Sequence, residues 1–132
     1  MSVRRAVVTG ASSGIGEATA KALAAEGFTV ICAARRIERI LALADLIGGE
    51  AVGCDVTDEA DVRRLAEHVG DSLDLLVNNA GYGPPFPLEQ MDRDALRHVF
   101  DVNLLAGMQL VGELTPMWCA RGGGRVINMS SL

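Results

Sequence analysis

Aromatic residues are scarce in this 132-residue chain, at 4% of the total, and lysine and tyrosine occur once each, as Lys21 and Tyr82. A core must therefore be drawn from Val, Leu, Ile and Ala within a hydrophobic fraction of 49%. That fraction excludes a disordered chain and suits parallel strands covered on both faces by helices. Cysteine is also sparse. Cys32, Cys54 and Cys119 are odd in number and lack Cys-x-x-Cys spacing, so neither a disulfide framework nor a zinc site is expected. No metal ligands are assigned. Cys32 and Cys54 fall in or beside apolar runs and read as small buried hydrophobes, and free thiols fit a reducing compartment. No apolar run approaches the ~20 residues of a membrane span, and residues 1–8 hold too little apolar sequence for a secretory signal. A cytoplasmic protein without a membrane partner is the expectation. Positive charge is in deficit: 12 Lys and Arg against 17 Asp and Glu give a formal net charge of −5, which argues against a nucleic-acid partner.

Glycine is plentiful, and its placement matters more than its number. The stretch Thr9-Gly10-Ala11-Ser12-Ser13-Gly14-Ile15-Gly16 lies between an apolar run, residues 6–8, and an amphipathic run, residues 17–26. Gly10, Gly14 and Gly16 thus occupy a strand-to-helix turn together with Ser12, Ser13 and Ile15. Such a turn lets the backbone approach a phosphate closely and aims the unpaired N–H groups of the helix, with its positive dipole end, at the anion. The spacing is G-x-x-x-G-x-G, whereas the commoner dinucleotide fingerprint is G-x-G-x-x-G. A tight loop that merely needs small residues would read the same way locally.

A second ligand-reading position follows. About 20 residues beyond the glycines, an NAD-binding domain presents Asp or Glu to the adenosine ribose. Here the second apolar run, residues 28–33, ends in Ala34-Arg35-Arg36. Arginine offers forked, permanently charged donors that suit a 2′-phosphate, so NADP is expected ahead of NAD, with Arg35 its first reader and Arg36 beside it. The alternative is that Arg35, Arg36 and Arg39 form the solvated start of the next helix.

Strand-like and helix-like segments alternate along residues 1–132 without linker, repeat or low-complexity sequence, which points to one α/β domain built on a doubly wound parallel sheet. Ile37, Ile40, Leu41, Ala44 and Ile47 mark a second helix, and Val62, Leu65, Ala66 and Val69 a third, for which Thr57 suits the N-cap. Further strands are expected to end at Cys54-Asp55-Val56, over residues 73–78 and over residues 125–131, with a long helix over residues 92–119. Right-handed crossovers give the strand order 3-2-1-4-5 with the switch point between strands 1 and 4. The glycine turn, Asp55 and residues 79–81 then meet at the carboxyl ends of neighbouring strands. Taken alone, Asn78-Asn79-Ala80-Gly81 also reads as a turn-forming cluster and Asp55 as a strand-end acid. His68 and His98 read as surface residues. Asn103 falls on an apolar stripe with Val99, Phe100, Gly107, Val111 and Leu114, where an amide must be hydrogen-bonded.

The G-x-x-x-G-I-G turn, Cys54-Asp55-Val56, Asn78-Asn79-Ala80-Gly81 and Arg125-Val126-Ile127-Asn128-Met129-Ser130-Ser131, in this order, resemble the short-chain dehydrogenase/reductase family over the whole chain. The resemblance implies a Rossmann-type fold and hydride exchange between NADP(H), or NAD(H) as the runner-up, and a small alcohol or carbonyl substrate. It places the backbone at Ser13 and Ile15 on the phosphates, Asp55 and Val56 at adenine, and Asn79, Ala80 and Gly81 along the cofactor. It also implies that Asn103, in Val102-Asn103-Leu104, supports a proton relay and that Ser131, with Ser130 adjacent, hydrogen-bonds the substrate carbonyl. A homodimer or homotetramer paired through the long helix is the implied assembly.

One departure stands out. The family's Tyr-x-x-x-Lys pair would lie beyond Leu132, and neither Tyr82 nor Lys21 matches it. The expectation is the N-terminal part of a longer enzyme, a domain incomplete at its C-terminus and inactive by itself. A catalytically silent nucleotide-binding module fits the same residues, and a methyltransferase-like domain would instead carry an acid where Ala34 stands.

Overall fold

The computed structural model describes residues 3–130. Its elements run β1 (Arg5–Thr9), α1 (Gly14–Ala25), β2 (Thr29–Ala34), α2 (Ile37–Ile47), β3 (Glu50–Gly53), α3 (Glu59–Val69), β4 (Leu75–Asn78), α4 (Arg93–Phe100), α5 (Ala106–Arg121) and β5 (Arg125–Asn128). The five strands form one sheet in the order β3-β2-β1-β4-β5, and every pairing is parallel. This is the doubly wound order expected from the crossovers.

Alternation along the strands explains the two layers. Val7, Ile31 and Leu76 face α3 and α5, where Val62, Leu65, Leu110, Leu114 and Trp118 cover them; Ala6, Val8, Val30, Cys32 and Val77 face α1 and α2, against Ala20, Ile40 and Leu43. Because the central strands are covered on both sides, they read as near-continuous apolar runs. Each fully buried Val, Leu or Ile contributes about 1.5–3 kcal/mol, so truncating Leu76 to alanine costs about 2–5 kcal/mol. Burial also pushes the thiols of Cys32 and Cys54 up to about 11, so neither is a thiolate at neutral pH.

Local structure differs from the sequence expectation at three places. Asp58, not Thr57, caps α3, its carboxylate accepting from the Ala60 and Asp61 amides at 2.9 and 3.2 Å; Thr57 turns to Asp55 instead. β4 begins at Leu75, two residues later than expected, and the Leu73 carbonyl before it accepts from the Trp118 indole N–H, at 2.8 Å, and from Arg121. The long helix is capped by Asp92, as its periodicity suggests, but passes through a π-turn at Asp101–Leu105 between α4 and α5. That extra residue rotates the helix face. Leu110, Leu114 and Trp118 pack on the sheet, whereas Phe100, Leu104, Leu105 and Met108 are exposed.

Candidate cofactor and substrate site

Thr9, 2% exposed, ends β1. Its Oγ1 accepts from the backbone N–H groups of Asn79 and Ala80, each at 3.0 Å, so the segment after β4 is hung from the strand beside it. Asn79 reciprocates: its Nδ2 donates to the Thr9 and Gly10 carbonyls at 3.2 and 3.3 Å. Thr9 was missed in the sequence reading. Its only signal is a polar residue closing an apolar strand at the edge of the glycine turn.

The glycine turn is as tight as its composition implies. Gly10 and Gly14 have φ of +62° and +57°, conformations that L side chains rarely adopt. Gly16, buried at the first turn of α1, leaves no room for a Cβ against the Gly10 carbonyl and the Asn79 amide. The N-cap of α1 is Ser13 in extended backbone, and its hydroxyl makes no cap bond to the first amides of the helix, which have no intrahelical partner. Amides in that position can take an anion.

Arg36 reaches back over this turn, with Nη2 donating to Ser12 Oγ at 3.0 Å and Ser13 Oγ at 3.2 Å. Arg35 takes a different course. Its charge falls near Asp55, whose carboxylate is held below its ordinary pKa first by the Thr57 hydroxyl, at 2.7 Å, then by the Thr57 amide, at 3.0 Å, with Arg35 contributing less. Asp61, in the first turn of α3, folds back so that Oδ2 accepts from the Asp55 amide at 2.9 Å. The stretch after β3, with Asp55 and half-buried Val56, is thereby fixed through its backbone, leaving one Asp55 oxygen for a ligand. The cluster suits a phosphorylated adenosine: positive charge and orphan amides at the turn, a carboxylate and Val56 farther along the same strand ends.

Asn103 corrects an expectation. It is exposed rather than set into an apolar stripe, because the π-turn lifts it off the sheet. Both halves of its amide grip one residue: Oδ1 accepts from Tyr82 N at 2.8 Å and Nδ2 donates to Tyr82 O at 2.7 Å. Gly81 lies close enough that a Cβ there would come within 3.3 Å of Asn103 Oδ1. The Tyr82 ring packs edge-on against His98, with centroids 4.8 Å apart. Asn79, Ala80, Gly81, Tyr82, Asn103 and Ser130 line one open cleft of about 1000 Å³. Ser131 lies outside the described residues. The structure therefore brings together two groups: the turn with Ser12, Ser13 and Arg36, and the cleft with Asn103 and Ser130.

The match to known proteins covers nearly the same span. The model of the short chain dehydrogenase family matches residues 4–132. The chain belongs to this family. An uncharacterized oxidoreductase of Mycobacterium tuberculosis is 47% identical over 129 residues, covering 98% of this chain and 51% of the relative. A short-chain dehydrogenase from Streptomyces avermitilis superposes with a TM-score of 0.92 at 38% identity, covering 99% of this chain and 50% of that one. A metagenomic short-chain oxidoreductase, solved in complex with NADP, gives 0.90 at 38% identity, covering 98% and 62%. The chain spans about half the length of the curated short-chain dehydrogenases and oxidoreductases it matches. Among the described residues, no helix is long and apolar enough to cross a membrane.

Proposed function

We propose that the full-length protein is an NADP-dependent oxidoreductase that exchanges hydride between NADP(H) and a small alcohol or carbonyl compound. The observation that carries this reading is Arg36 anchored on the Ser12 and Ser13 hydroxyls at the N-terminus of α1, where the sequence has no acid to receive a free ribose hydroxyl. The NADP complex of a 38% identical neighbour supports it. The cofactor, when bound, supplies or accepts the hydride. The chain's own residues do the rest. Gly10, Gly14, Ile15 and Gly16 offer amides and close backbone to the diphosphate. Arg36 and Ser12 hold the 2′-phosphate, with Arg35 adding charge from the Asp55 side. Asp55 and Val56 flank adenine, and Asn79, Ala80 and Gly81 form a floor tied to the end of β1. Asn103 holds Tyr82 and the Gly81 backbone, thereby shaping the cleft. Ser131 orients the carbonyl oxygen, with Ser130 beside it.

Residues 1–132 carry this cradle without a Tyr-x-x-x-Lys pair, so by themselves they are expected to transfer no hydride. A homodimer or homotetramer is the assembly supported by the exposed Phe100, Leu104, Leu105 and Met108. Free Cys32, Cys54 and Cys119 favour a cytoplasmic setting. The test is cofactor selectivity in the full-length protein: Arg36→Ala should weaken NADPH about ten- to a hundredfold while sparing NADH, the worth of a charge-assisted pair. Arg35→Ala should do the same more weakly, and Ala34→Asp should shift preference toward NADH. Equal losses for both cofactors would sink the reading.

A further inference from the structure

The ladder between β2 and β3 runs out just before Asp55. Beyond the Ala34–Gly53 pair its last rung is Cys54 N to Ala34 O, at 3.0 Å, and the chain after Ala34 then leaves the sheet for α2. The Asp55 N–H meets no strand carbonyl, although Asp55 is half-buried. An amide left unpaired in such a place costs stability and frees the chain to shift. Asp61 supplies the acceptor, and α3 thereby reaches back to the end of β3.

This is not the ordinary bonding of a helix start. With Asp58 as N-cap, Asp61 stands at the position whose side chain commonly bonds the N-cap amide. Here the Asp58 amide donates to Asp55 O at 3.0 Å instead, and Asp61 reaches past it to Asp55. Arg64, one turn farther along α3, holds the other carboxylate oxygen: its Nη2 donates to Asp61 Oδ1 at 2.8 Å and lies 3.4 Å from the Gly53 carbonyl. The Asp55 amide first, and Arg64 after it, keep the Asp61 carboxyl below its ordinary pKa, so it remains a charged acceptor at neutral pH. Thr57 occupies Asp55 Oδ1 through both its hydroxyl and its amide. Among the described residues, Asp55 Oδ2 alone of the hydrogen-bonding atoms of Asp55 has no protein partner, and it is left fixed in place for a ligand. β3 is the edge of the sheet opposite β5, so the whole brace is built from β2, β3 and α3.

We propose that Asp61, clamped by Arg64, is a positioning residue for the cofactor, holding the Asp55-Val56 stretch where it receives the adenosine half of NADP(H). The inference rests on the oxidoreductase reading above. In the full-length enzyme, Asp61→Ala should raise the Kd for NADPH about tenfold, the low end of the worth of a hydrogen bond to a charged group. The Kd for 2′,5′-ADP, the adenosine half with its 2′-phosphate and no nicotinamide, should rise by the same factor. Asp61→Asn keeps an oxygen for the Asp55 amide and should recover most of the loss for both ligands. Hydrogen exchange at the Asp55 amide should quicken in Asp61→Ala and stay near wild type in Asp61→Asn. Exchange at the Asn79 and Ala80 amides, across the site, should not change, whereas a merely looser fold would quicken all three. Arg64→Met serves if Asp61→Ala does not fold: it should weaken both ligands about two- to fivefold, the scale of an exposed ion pair, and quicken the Asp55 amide. Affinities within about twofold of wild type in Asp61→Ala would overturn the inference, as would a loss for NADPH that 2′,5′-ADP does not share, no rescue by Asp61→Asn, or, where Arg64→Met stands in, unchanged exchange at Asp55. A wild type that binds neither NADPH nor 2′,5′-ADP would overturn the oxidoreductase reading instead.

Discussion

Replacing Thr9 with valine removes one oxygen and nearly preserves shape. That oxygen accepts from Asn79 N and Ala80 N at 3.0 Å each, and its residue is 2% exposed, so water cannot take its place. Leaving a buried donor unpaired costs about 1–3 kcal/mol. Because Asn79 and Ala80 are half-buried, the low half of that range applies to each, or about 2–4 kcal/mol together. The third contact, to Val77 O at 3.4 Å, is too long to add much. The added methyl returns about 0.8 kcal/mol, for a net loss of about 1–3 kcal/mol. Urea unfolding of the full-length protein should show that loss, and hydrogen exchange should quicken at the Asn79 and Ala80 amides in particular. NADPH affinity should fall too, since these amides fix the floor of the site. Thr9→Ser keeps the oxygen and gives the control: its exchange at both amides and its NADPH affinity should stay near wild type. If Thr9→Val leaves both amides protected and NADPH binding intact, the hydroxyl does not hang this segment from β1.

Gly16→Ala should abolish NADPH binding in fluorescence titration, because its Cβ would meet the Gly10 carbonyl group, including Gly10 C at 2.9 Å, and distort the turn; binding within about twofold of wild type would show that the turn yields more readily than close packing allows. Asp74 accepts from Arg121 Nη2 and Arg5 N, each at 2.8 Å, and these bonds hold its pKa below the ordinary carboxylate value. A depressed folded-state pKa means stability that is present above the unfolded value near ~3.9 and lost as pH falls through the folded one, so the Tm gap between wild type and Asp74→Asn should shrink on acidification from pH 6 to 3. A gap that stays constant would assign the effect to another group. Light scattering of the full-length protein should report a dimer or tetramer, and Met108→Glu, at a position 62% exposed, should dissociate it without altering the fold by circular dichroism; a wild-type monomer at all working concentrations would count against the assembly.

The order of elements and the strand order were legible in the chain because a parallel sheet covered on both faces writes itself as alternating apolar runs and amphipathic helices, with glycines marking the first crossover. The polar residues at the strand ends were legible as types. Their partners were not. That Arg36 rather than Arg35 returns to Ser12 and Ser13 depends on how α2 leaves β2, and that Asp61 reaches the Asp55 amide depends on which residue caps α3. Asn103 shows the limit most clearly: helical periodicity placed it on a buried stripe, but a π-turn adds one residue to the repeat, and a local phase change of that kind has no signature in apolar spacing. Thr9 and Asn79 are ordinary polar residues until β1 and β4 lie side by side. Sequence periodicity reports which face of an element is buried; the hydrogen bonds between elements far apart in the chain exist only once the sheet sets their register.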